Sequence, residues 1–174
     1  PRVHAAILLD AASSELTMGY VESAYDKLLT CRSLLEHTSH PYVMGRSYLE
    51  EARALLALGH YGESVGVSGE ASRALRMLGH EGSATIAELI MVLGMFLSGD
   101  IDEACDFLDA ILARDIANDM TRWQGLATRV FFFWHRDGAE AAAEALERFC
   151  EDLGDTTDAL WPPVVMWVRE HLLG

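Results

Sequence analysis

The chain has 174 residues, 51% of them hydrophobic and only four of them proline, so it can bury a real core and is not a disordered chain. Its formal net charge is −14, with seventeen acids against six bases over 88–174 and ten against seven over 1–87. A surface of that sign repels phosphate and argues against direct nucleic-acid binding; Arg46 and Arg53 are the one local basic exception.

Abundant Ala, Leu and Glu with little proline favour helix over strand. In chain order, the apolar periodicity predicts helices near 3–18, 21–37, 42–58 and 61–78, then 84–98, 101–114, 119–136 and 139–153. The breaks between successive pairs are HTSHP (37–41), GHEGS (79–83), DIAND (115–119) and GDTTDALWPP (154–163). Three glycines fall inside the fourth helix, Gly62, Gly66 and Gly69, each costing roughly 1 kcal/mol against Ala in a helix interior. Small side chains there would admit the paired helix, carrying Tyr48 and Leu55, at close range, with a kink as the second reading. His60 and His80 each follow a helix-ending Leu-Gly, where an imidazole can meet terminal carbonyls. Asp100 or Asp102 can cap the sixth helix. A last helix is expected over 162–173, with Pro163 in its first turn.

The longest apolar stretch, IAELIMVLGMFL, is interrupted by Glu88 and is read as too short to span a bilayer. No charged start followed by an apolar run marks a signal peptide. Cys31, Cys105 and Cys150 lie far apart without CxxC spacing, as reduced thiols of a cytoplasmic protein do, and are expected as small core residues.

A repeat organises these helices. Four segments, ELTMGYVESAYDKLLTC, LLALGHYGESVGVSGEA, MFLSGDIDEACDFLDAI and WHRDGAEAAAEALERFC, align on Gly19, Gly59, Gly99 and Gly138, at spacings of 40, 40 and 39. Five places after each glycine comes a small residue: Ala24, Ser64, Ala104 and Ala143. Twelve places after it come Cys31, Ala71, Ile111 and Cys150; seven before it come Ala12, Ala52, Val92 and Phe131. The expected fold is all-α: a right-handed α-α superhelix of four antiparallel pairs (units about 3–40, 41–80, 81–117 and 118–157) with a C-terminal capping helix, as one domain over 1–174.

The pattern resembles the tetratricopeptide repeat, most clearly in FLSGDIDEACDFLDAIL, where a turn glycine is followed by Ala104, Leu108 and Ile111. The second unit departs from it, with Ser64 and Ser68 where Ala and a large residue are usual. The forty-residue period is similar to the longer helical repeats of bacterial LuxR-type, signal-responsive transcription regulators. The resemblance implies a protein- or peptide-interaction module without cofactor, with the first helix of each pair lining a concave surface. A domain sensing a small-molecule effector is the alternative.

Motifs for chemistry are incomplete. HRD (His135, Arg136, Asp137) lacks the asparagine five places on, and no phosphate loop accompanies it. DIDEACDFLD lacks the glycine and final glutamate of a calcium loop. Glu36, His37 and His40 lack a further metal ligand at diagnostic spacing. The chain is therefore read as non-enzymatic, with no catalytic, cofactor or metal residues.

Beside the core positions four, seven and eleven before each glycine runs a second stripe, three, six and ten before it. It holds Leu9, Ser13 and Leu16, then Leu49, Arg53 and Leu56. Leu89, Leu93 and Phe96 follow, then Thr128, Phe132 and His135. Either this stripe binds a partner or curvature of the array buries it. The candidate groove comprises Leu49, Leu89, Leu93, Phe96, Phe132 and His135, with Arg46, Arg53 and Arg136 at its rim. In VFFFW, Phe131 and Trp134 are assigned to the unit's own core, and Val130 and Phe133 to a neighbouring unit. Trp161 and Trp167 would cap the fourth unit or form a homodimer contact.

Overall fold

The computed structural model describes residues 2–35, 40–114, 116 and 119–153. Among these it is all-α, with eight helices: α1 (Arg2–Thr17), α2 (Val21–Leu35), α3 (Pro41–Ala57), α4 (Tyr61–Met77), α5 (Glu81–Ser98), α6 (Ile101–Leu112), α7 (Asp119–Asp137) and α8 (Ala139–Leu153). All eight coincide with expected helices to within a few residues. The chain forms two compact units, residues 1–99 and 100–174, so α5 belongs to the first and α6 to the second. The expected capping helix, with Trp161 and Trp167, lies outside the described residues, as do Glu36 and His37.

In the first unit α1 pairs with α2 and α3 with α4; α5 packs on α4, and α1 and α5 both touch α3. One core joins Ala5, Leu9, Leu28, Cys31 and Leu35; another joins Ala52, Ala71, Leu75, Ala87 and Ile90. Each fully buried leucine here contributes about 1.5–3 kcal/mol over exposure. In the second unit α7 pairs with α8 and α6 packs on α7.

The turns explain the pairing. At Leu58-Gly59-His60 the His60 amide donates to the Leu55 carbonyl at 2.9 Å, and at Leu78-Gly79-His80 the His80 amide donates to the Leu75 carbonyl at 3.0 Å. Gly59 and Gly79 have φ of 83° and 77°, a conformation that a side chain disfavours, so Leu-Gly-His ends one helix and starts the next within three residues. The break expected at 79–83 shrinks accordingly, and α5 starts at Glu81. The two imidazoles find other neighbours than the terminal carbonyls: His60 Nδ1 lies 3.0 Å from a Glu63 carboxylate oxygen, and the His80 ring lies tilted against Tyr42 with centroids 4.6 Å apart. Asp100 holds the N-cap position of α6, but its carboxylate makes no capping bond.

With 18 residues, α5 is long and apolar enough to cross a membrane by length and composition, contrary to the expectation that this stretch is too short. Half of it is buried within the protein. Its buried Glu88 pairs with Arg76 of α4 at 2.8 Å and accepts from the Ser72 hydroxyl at 3.2 Å.

The close approach expected at the α4 glycines occurs elsewhere. A Cβ at Gly62 or Gly66 would meet nothing within 4 Å, and one at Gly69 would make an ordinary contact with Met91. At Gly94 of α5, by contrast, a Cβ would lie 2.9 Å from Val65 Cγ2 and 3.2 Å from the Tyr61 carbonyl oxygen.

Candidate interaction surface

Burial decides the fate of the predicted stripe. Leu9, Leu49 and Leu89 are all buried, and in the first unit the helices that carry them pack on one another, α1 on α3 and α3 on α5. Phe96 is also buried, while Leu93 is half-buried. The rim cations are engaged: Arg46 lies 3.4 Å from Asp10 and Arg53 lies 3.0 Å from the buried Glu50. In the second unit Arg136 pairs with Asp137 at 2.8 Å, and its guanidinium and that of Arg129 each sit 5.3 Å from the Phe133 ring centroid.

The fourth unit needs a correction of one residue. The buried positions of α8 are Ala142, Leu146 and Phe149, not the Ala143 expected from the glycine alignment; the Cys150 side chain lies outside the description. On α7, Ala127, Val130 and Phe132 are buried, whereas Phe131 and Trp134 are half-buried. Both helices fall into phase with the earlier units if Asp137 replaces Gly138 as the reference. Val130 then matches Ala12, Ala52 and Val92, and Phe132 matches the buried Ala54 and Gly94. The cause is the turn: α7 stays helical through Asp137 and Gly138 alone separates it from α8. Val130 therefore packs with Ala142, Leu146 and Phe149 in its own pair rather than against a neighbouring unit. Phe132, at 1% exposure, offers no contact surface, and the exposed His135 packs its ring against Phe131 and Trp134, at centroid distances of 4.5 and 5.0 Å.

A different groove is open in the first unit, with α3 as its floor and α2 and α4 as its walls, and a volume of about 710 Å³. From α2 it takes Tyr25, Leu29 and Arg32; from α3, Tyr48, Glu51 and Leu55. From α4 it takes Glu63, Gly66, Val67 and Glu70. One Nη of Arg32 donates to both oxygens of the buried Glu51 carboxylate, at 2.7 and 2.9 Å, and the guanidinium lies 5.3 Å from the Tyr48 ring centroid. Burial pushes the Glu51 carboxyl up, and Arg32 opposes the shift. The Tyr25 phenol is pushed up too, first by burial and then by the carboxylates of Glu51 and Glu63. Arg32 is neutralised by Glu51, and on the α4 wall Glu70 pairs with Arg73 at 2.6 Å, which leaves Glu63, 3.0 Å from the His60 ring, as the carboxylate without an arginine or lysine partner. The groove is thus aromatic and apolar inside with an acidic edge.

Sequence reasoning missed this groove because it examined one helix stripe at a time, and three helices build it. No sequence signal singles the groove out, since Gly62 and Gly66 are both α4 glycines at which a Cβ would meet nothing, and only Gly66 lines it.

A second depression, of about 480 Å³, lies between α7 and α8 around Leu126, Phe133 and Phe149. Its arginines are paired: Arg129 with Asp109, Arg136 with Asp137 and Arg148 with Glu144. Among the described residues, no group of three or more His, Cys, Asp or Glu side chains is arranged to hold a metal ion.

No family model matches the sequence, and no curated protein matches it. Among solved structures, the chain is similar to a Podosopora anserina protein assigned as a kinesin light chain, built of nearly identical TPR-like repeats. The match has a TM-score of 0.68 at 18% identity and covers 95% of this chain and 82% of that one. A single-residue variant of the same protein matches with a TM-score of 0.69 at 18% identity, over 95% and 81% of the two chains. The helices of this chain thus form a TPR-like repeat fold.

Proposed function

We propose that the chain is a non-enzymatic, cytoplasmic protein- or peptide-binding domain whose docking site is the groove between α2 and α4. The observation that carries this reading is an open groove with aromatic and aliphatic walls, on a repeat fold that commonly serves interaction. Similarity of the forty-residue period to LuxR-type repeats supports a place as the partner-sensing arm of a bacterial transcription regulator. Accessible residues of the predicted groove and its rim offer competing surfaces: Arg46, Arg53 and Leu93 in the first unit, or His135 and Arg136 in the second.

A photo-crosslinking amino acid at Leu29, in the groove, should trap a protein partner in cells, and the same label at Leu93 should not. Crosslinks from position 93 alone would move the site to the stripe. Enclosure of a small effector is the alternative; a melting-temperature rise with a metabolite, and no crosslinked protein, would favour it.

A further inference from the structure

We propose that the groove between α2 and α4 recognises a segment bearing a basic side chain flanked by apolar residues, and that Gly66 keeps the groove open for it. This rests on the groove being the docking site.

Gly66 is set apart by its surroundings. It lies in the middle of α4, a 17-residue helix, where glycine is the weakest ordinary helix former. Packing does not require it, since a Cβ there would meet nothing within 4 Å. Its φ does not require it either, because the positive-φ glycines are all in turns. What Gly66 does is line the groove, where any side chain would project into the space a ligand needs.

Charge then selects the occupant. The groove holds one cation, Arg32, against the carboxylates of Glu51, Glu63 and Glu70. Arg32 is consumed by Glu51 and by the Tyr48 face. On the exposed wall Glu70 pairs with Arg73 at 2.6 Å and Glu63 meets the His60 imidazole at 3.0 Å, so Glu63 is the carboxylate without an arginine or lysine partner. A guanidinium or ammonium can meet such carboxylates while its stem lies along Leu29 and Val67. An acidic peptide would meet repulsion at the same edge, and the net charge of −14 strengthens both effects.

The test uses the whole chain as bait for a random twelve-residue display library, followed by titration of the selected peptides. The expected result is enrichment of Arg or Lys next to apolar residues. Affinity should fall with added salt and drop by roughly three- to tenfold in a Glu63→Gln, Glu70→Gln double variant. Gly66→Leu should abolish binding with the helical signal retained; should it fail to fold, Gly66→Lys replaces it in the same titration. Selected peptides with the cation content of the naive library, or indifferent to the glutamine pair, would overturn the basic-segment inference and leave the docking site standing. Full binding by a folded Gly66 variant would overturn the groove itself. Recovery of no binder would overturn both.

Discussion

Replacing Gly66 or Gly94 by alanine is the same chemical change on two packed helices, and the two should move stability in opposite directions. In either helix interior the change is worth about 0.8–1 kcal/mol in alanine's favour. At Gly66 nothing lies within 4 Å of the new methyl, so that gain should be kept. For a chain of this size it corresponds to a melting-temperature rise of roughly 2–4 °C. At Gly94 the methyl would sit 2.9 Å from Val65 Cγ2 and 3.2 Å from the Tyr61 carbonyl oxygen, which belongs to the backbone of α4 and cannot turn away. Overpacking of that kind costs about 1–3 kcal/mol. Subtracting the helix gain leaves a net loss of about 1–2 kcal/mol toward the upper part of that range, a fall of roughly 2–8 °C. Thermal and urea unfolding followed by circular dichroism would measure both. A stabilised Gly94→Ala would refute the close α4/α5 contact, and a destabilised Gly66→Ala would refute the claim that Gly66 has no structural duty.

Ser68 is fully buried, and its hydroxyl has no hydrogen-bond partner among the described residues, so Ser68→Ala should raise the melting temperature; a fall would show a partner. Its neighbour Ser64 donates to the Ala52 carbonyl at 2.8 Å, so Ser64→Ala should lower stability by about 1 kcal/mol in the same assay. Arg32→Ala leaves the buried Glu51 carboxylate without its cation and should cost on the order of 3 kcal/mol at neutral pH. The sign with pH follows from the raised Glu51 pKa. The folded state takes up that proton at a higher pH than the unfolded chain does, so the loss in Arg32→Ala should shrink as pH falls through the raised value. A loss that grows on acidification in urea titrations would contradict the pairing. Burial pushes the Cys31 and Cys105 thiols up, so alkylation mapped by mass spectrometry should find both slow in the native protein and fast once unfolded.

Much of the fold was legible because its signals are local. The Leu-Gly sequences at 58–59 and 78–79 demand left-handed turns, and apolar periodicity places the helices between them. The error in the fourth unit has a definite cause. A glycine marks where a turn must be, while the phase of a helix is set by which side chains pack, and α7 runs one residue further before its turn. Phe132 moved from a candidate contact to the core on that single residue. The second stripe was correctly seen as too apolar for a solvated face. Leu9, Leu49 and Leu89 are buried in the first unit, where α1 packs on α3 and α3 on α5, while Leu16, Leu56 and Leu93 stay half-buried, a division that no single helix reveals. The α4 glycines were read as contact points because glycine often is one, yet the contact sits across from α4, at Gly94. The groove depends on three helices, two units of sequence and one missing side chain, so it required coordinates.

Amide chemical-shift mapping with a display-selected peptide reads directly where a partner sits. Perturbations should gather on the two walls of the groove, at Leu29 and Arg32 of α2 and at Gly66, Val67 and Glu70 of α4, with Arg53, Leu93 and His135 unmoved. Perturbations centred on Leu93 and Arg53, with the α2 and α4 walls silent, would contradict it.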